Sequence, residues 1–164
     1  MFATVPLSSE SKPALYAELL AQARALFAGE RDAGANAANV AALLYHSLPE
    51  LNWAGFYWMK DGGLVLGSFQ GLPACVRIAM GRGVCGTAAR DRRTIVVPDV
   101  NAFPGHIACD SASRSEVVIP LMHEGNVIGV MDLDSPKLKR FDEEDARGLE
   151  AVAQAFLEST DLGG

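Results

Sequence analysis

The chain predicts an α+β fold, a central antiparallel sheet with N- and C-terminal helices packed on one of its faces. Three observations predict it. Apolar residues recur at helical spacing in the first third of the sequence. Strand-like runs separated by glycine turns fill the middle, and an acid-capped amphipathic stretch closes the chain. Helices that flank a hairpin-rich middle pack as a layer on the sheet those hairpins build.

Ser11 before Lys12-Pro13 supplies a capping hydroxyl and a first-turn proline, and Leu15, Leu19, Ala23 and Leu26 then recur at helical spacing up to Gly29. A second helix is expected after Asn36, with Val40, Leu43, Leu44 and Leu48 on one side and Pro49 as its stop. From Asn52 the pattern changes. Trp53–Met59 reads as an aromatic-rich strand, Asp61-Gly62-Gly63 as a turn, and Leu64–Gly67 as the returning strand. Further strands are expected at Cys75–Met80 and Thr94–Val97, with one or two helical turns after Gly83 between them. Pro98 to Ser115 has little periodicity and reads as a long loop, a feature that is usually functional inside a small domain. Glu116–Met122 and Val127–Asp134 form a second hairpin across His123-Glu124-Gly125-Asn126. The last helix is capped by Asp142, begins with Glu143-Glu144-Asp145, and turns Ala146, Leu149, Val152, Ala153 and Phe156 inward.

The 164 residues suit one core rather than two, which predicts a single domain over residues 1–164 with its body at about 10–160. Fourteen basic residues against twenty acidic ones give a net charge of −6 with no basic cluster, so nucleic acid is not an expected partner. No apolar stretch approaches the roughly 20 residues that span a bilayer, and Met1–Pro6 does not read as a signal peptide. A cytoplasmic protein with no membrane contact is expected, and its cysteines are then free or redox-active rather than a structural framework.

Cys75, Cys85 and Cys109 are the only cysteines in the chain. A nucleophilic thiol with other thiols in reach can reduce an oxidised substrate without a cofactor: one thiol attacks, a second resolves it as a disulfide, and an external dithiol resets the pair. Asp132 and Asp134 are two apart on a strand and share a face, while Glu116 begins the strand that pairs with it. Three converging carboxylates raise one another's pKa and keep a proton near neutral pH. Trp53 and Tyr57, four apart, share a face that can wall a pocket. His106, three before Cys109, can lower its pKa or shape its loop. A zinc site of Cys75, Cys85, Cys109 and His106 is disfavoured, because the spacings of ten and twenty-four residues lack paired Cys-x-x-Cys knuckles. No metal and no cofactor are expected. Gly81–Gly86 is not a phosphate loop either, having no Lys-Ser or Lys-Thr at its end.

The order of elements, with Val127–Asp134 before Phe141-Asp142-Glu143-Glu144-Asp145, resembles the GAF domain family. Within it, Asn52–Tyr57, Gly67–Gly71, Gly81–Gly86, Phe103–Asp110 and Met131–Pro136 are similar to the motifs of the free methionine-(R)-sulfoxide reductases. One departure is Ser68, where the family commonly carries proline. The resemblance implies a GAF-like catalytic domain that reduces free L-methionine (R)-sulfoxide through a cysteine sulfenic acid and an intramolecular disulfide, recycled by thioredoxin or a similar dithiol. It implies Cys109 as nucleophile and Cys75 as resolving thiol, with Cys85 as the alternative or second partner. Glu116 and Asp134 would polarise or protonate the sulfoxide oxygen, Asp132 would hold the amino group, and Trp53 and Tyr57 would enclose the methyl and aliphatic part. It also suggests a homodimer through the helical layer. A non-catalytic GAF-type sensor of a small ligand is the competing expectation.

Overall fold

In the computed structural model, which describes residues 2–8 and 10–163, the Ser11 hydroxyl caps helix α1 (Lys12–Phe27) by accepting from Ala14 N. Met1, Ser9 and Gly164, part of the expected 1–164 domain, lie outside the described residues. The buried stripe of α1 is Tyr16, Leu19, Ala23 and Phe27, so Leu15 and Leu26 sit on its shoulders rather than at its centre. Helix α2 (Ala33–Ser47) starts earlier than expected, because Asp32 rather than Asn36 is its cap and accepts from Ala35 N at 2.8 Å. Asn36 is instead buried, its amide donating to Glu30 O and to Thr160 Oγ1, both at 3.1 Å.

Six antiparallel strands follow among the described residues: β1 (Trp53–Lys60), β2 (Gly63–Gly71), β3 (Arg77–Ala79), β4 (Ile95–Val97), β5 (Ser115–His123) and β6 (Asn126–Ser135), in the spatial order β3-β2-β1-β6-β5-β4. Strand β2 runs on to Gly71, beyond the expected Gly67. Strand β3 is shorter than Cys75–Met80, which leaves Cys75 in a loop. Strand β4 starts at Ile95 rather than Thr94. The β5–β6 connection is tighter than expected: Glu124 and Gly125 alone turn the chain, with φ of 49° and 79°, the mirror-image geometry that matches strand twist. Between β3 and β4 lies α3 (Gly83–Asp91), and the long loop contains a 3-10 turn at Val100–Ala102. Helix α4 (Glu143–Ser159) opens with a capping box between Asp142 and Asp145 and buries Ala146, Leu149, Val152, Ala153 and Phe156 as expected. Asp145 also accepts from Tyr16 Oη (2.8 Å), Lys12 Nζ (2.6 Å) and Arg140 (3.3 Å), tying α1 to α4.

The strand period of two divides the interior. Ala54, Phe56, Val117, Ile119, Leu121, Met131 and Leu133 face one way, into the layer of α1, α2 and α4. Trp53, Tyr57, Val118 and Val130 face the other way, beneath α3 and the long loop. The helical layer therefore seals one face, and every expected site residue belongs to the opposite one. No helix among the described residues is long and apolar enough to cross a membrane.

Candidate active site

The register of three central strands builds the floor. Asp134 of β6 lies directly opposite Glu116 on β5 and opposite Trp53 on β1; Asp132 lies opposite Gly55 and Val118. Trp53, Glu116, Asp132 and Asp134 line one pocket with Tyr57, Cys85, His106 and Cys109. Glu116 and Asp132 are 6% and 5% exposed, while Asp134 is partly exposed.

Helix α3 brings Cys85 down onto this floor. Its Sγ donates to Asp132 Oδ2 at 3.3 Å and lies 3.9 Å from Glu116 Oε1. Gly86, the next residue, allows the close approach: a Cβ there would strike the carbonyl oxygen of Ala79 on β3. The two remaining cysteines sit at the mouth. Cys75, half-buried in the β2–β3 loop, and Cys109, exposed in the long loop, form a disulfide with their Cα atoms 5.6 Å apart. Tyr57 Oη donates to Cys75 O at 2.9 Å, so the aromatic wall also holds the Cys75 loop. Trp53 is stacked between Tyr57 and Phe69, with ring centroids 5.9 and 5.3 Å away. His106 Nε2 stands 3.9 Å from Glu116 Oε2.

Asn52 and Asp110 lie in the motifs quoted above without an assigned role, and Ser113 lies in none, yet the three fix the Cys109 loop to the sheet. Asn52 Nδ2 donates to Asp110 Oδ2 and to Ser113 Oγ, both at 3.0 Å, and Asn52 N donates to Asp134 O at 3.0 Å. An asparagine before a strand carries no local mark that separates such a brace from an ordinary turn residue.

Burial dominates the electrostatics. Glu116 is pushed well above the usual carboxyl range by loss of water, with Asp132 and Asp134 adding repulsion. Asp132 rises to about 6 through burial, held back by hydrogen bonds from Glu116 and Cys85. Asp134 is raised by burial and by the charges of Asp132 and Asp110. The Cys85 thiol is raised by burial and then by Asp132 and Glu116. His106 is lowered by burial. The floor thus holds protons near neutral pH and can give one to a basic atom. Two polar atoms of its lining residues, Asp132 Oδ1 and Trp53 Nε1, are buried without a hydrogen-bond partner. Such groups are costly unless paired, and a ligand bearing both a donor and an acceptor would meet both.

These shifts set the sign of a pH effect on stability. A carboxyl raised in the folded state contributes fully below its unfolded pKa, and that contribution is lost as pH rises through the folded value. For Asp132, a rise from 3.8 to about 6 corresponds to roughly 3 kcal/mol. Urea unfolding is expected to show falling stability between about pH 4 and pH 6, with a shallower fall in Asp132→Asn. Equal slopes for the two proteins would contradict the assignment.

A family model described as GAF domain matches residues 35–156. The protein YtsP of Bacillus subtilis (strain 168) is 57% identical over 154 residues, covering 93% of this chain and 94% of its own. The free methionine-R-sulfoxide reductase of Escherichia coli (strain K12) is 52% identical over 145 residues, covering 88% of each chain. The X-ray structure of free methionine-R-sulfoxide reductase from Neisseria meningitidis in complex with its substrate is 46% identical, with a TM-score of 0.93, over 97% of this chain and 95% of that one.

Proposed function

We propose, for a chain that belongs to the GAF domain family and within it to the free methionine-R-sulfoxide reductases, that it reduces free methionine-R-sulfoxide to methionine by a thiol cycle. The observation that carries the reading is the Cys75–Cys109 bond at the mouth of a pocket floored by three carboxylates. The Cys109 thiolate attacks the electrophilic sulfur. Glu116 or Asp134 protonates the sulfoxide oxygen, which is otherwise a poor leaving group. Oxygen passes to Cys109 as a sulfenic acid, and the sulfoxide leaves as methionine, reduced by two electrons. Cys75 then displaces water from the sulfenic acid to form the disulfide, and a dithiol such as thioredoxin exchanges with it to restore both thiols.

Asp132 binds the substrate ammonium, and the stacked Trp53 and Tyr57 enclose the methyl and aliphatic part. A site closed over both ends of a free amino acid excludes a peptide chain. The residues 1–164 act as one catalytic domain in the cytoplasm, and a homodimer through the helical layer rests on the family resemblance.

The test is a single turnover of reduced protein with the separated epimers of free methionine sulfoxide. About one methionine per chain from the R epimer, with two thiols lost, is expected. Methionine from neither epimer would leave a GAF fold with idle cysteines. The Cys75→Ser variant is expected to release about one methionine per chain but to fail to cycle with thioredoxin. Full cycling would transfer the resolving role to Cys85.

A further inference from the structure

Cys85 takes no part in the disulfide and stands buried at the pocket floor. One ligand atom each from Cys85, Glu116 and Asp132 lie within 4.8 Å of one another. Cys85 Sγ is 3.3 Å from Asp132 Oδ2 and 3.9 Å from Glu116 Oε1. A tetrahedral zinc ion with ordinary Zn–S and Zn–O bonds holds a sulfur and an oxygen ligand about 3.6 Å apart. The two observed distances bracket that value. Asp132 Oδ1, on a residue 5% exposed, is buried without a hydrogen-bond partner, so this carboxylate keeps an unused acceptor. The cluster supplies three protein ligands, which leaves the fourth tetrahedral position to water. Among the described residues no lysine or arginine pairs with Glu116 or Asp132, so no basic side chain competes with an incoming cation for their oxygens.

We infer that Cys85, Glu116 and Asp132 form a site for a thiophilic divalent cation of the zinc class, and that this cation competes with the sulfoxide substrate for the pocket. The ligand set differs from a cluster of all three cysteines, since Cys75 and Cys109 are bonded to each other. A sulfur ligand selects zinc, cobalt or cadmium over magnesium and calcium, which prefer all-oxygen shells. Competition follows from shared atoms: a cation held by Asp132 and Glu116 occupies the groups proposed to receive the substrate ammonium and to act on its oxygen. Only this competition rests on the proposed function; binding of the cation does not.

The disulfide form isolates the site, because Cys85 is then the sole thiol. Zinc chloride titrated into the oxidised protein against a chromophoric chelator is expected to bind at one ion per chain, unaffected by excess magnesium. Cobalt chloride in its place is expected to give a thiolate-to-cobalt charge-transfer band, a signature on the unaltered protein that needs no variant. Cys85→Ser should abolish the band and weaken zinc binding at least about tenfold. Free methionine-R-sulfoxide should displace the ion. A cobalt spectrum without the thiolate band, equal zinc affinity in Cys85→Ser, or no binding to the oxidised protein would overturn the site. Retention of zinc under saturating sulfoxide would overturn the competition. Absence of methionine in the single-turnover assay would instead defeat the reductase reading and leave the cation result standing.

Discussion

Cys109→Ser is expected to form no methionine from either epimer, with the rate of the first turnover falling by roughly a thousandfold or more. Two losses combine. A serine hydroxyl at neutral pH is a far weaker nucleophile toward sulfur than a thiolate, and it has no sulfur on which to accept the oxygen. The pocket is otherwise untouched, because Cys109 is exposed at its mouth while Glu116 and Asp132 stay buried at its floor. Stability must be compared with reduced wild type: the disulfide closes a loop of 34 residues, and its removal alone costs about 3 to 4 kcal/mol in the oxidised protein. Matching thermal melts of the variant and of reduced wild type, with no methionine from the variant, are the expected pair of results. Cys75→Ser is the matched control, since it also lacks the disulfide but retains the attacking thiol. Methionine from Cys109→Ser at a rate near wild type would move the nucleophile to Cys85 or Cys75.

The second large effect is expected from Asp134→Asn. The amide keeps the shape of the carboxyl but cannot give a proton, and general acid catalysis of this kind contributes roughly a hundredfold to ten-thousandfold. The loss should appear in turnover more than in KM, because the oxygen needs its proton as its bond breaks. Folding should be spared. Asp134 is partly exposed at the rim, and burial together with Asp132 and Asp110 already disfavours its charge, so the neutral amide removes repulsion. Single-turnover rates at pH 6 and pH 8, with urea midpoints at both, separate the two effects. Near-normal turnover would remove Asp134 from the mechanism and leave Glu116 as the acid.

Much of this architecture is legible in local chemistry. The Ser11 and Asp142 caps, the Asp61-Gly62 turn and the alternation of Asp132 and Asp134 depend on neighbours within a few positions. The strand period likewise puts the two aspartates on one face before any packing is known. Errors occur where distant chain decides. Asn36 has the chemistry of a cap but is used to satisfy Glu30 and Thr160 across the helical layer. The ends of β2 and β3 depend on how far the two strands stay paired, which alternation does not encode. The pairing of Cys75 with Cys109 is implied by family resemblance alone, because their spacing leaves Cys85 equally eligible. The position of Cys85 on the carboxylate floor follows from α3 crossing the sheet, a tertiary fact with no local sign. The Asn52 brace was invisible for the same reason.

The bond between Cys75 and Cys109 has a consequence for damage. An exposed thiolate in oxidising surroundings climbs from sulfenic to sulfinic and sulfonic acid, and the upper steps are irreversible for most proteins. Cys109 is the exposed member of the pair, and in the disulfide its sulfur has no thiolate with which to begin that climb. Under the proposed thiol cycle, a failure of dithiol supply leaves the chain dormant, and reduction brings it back without new synthesis.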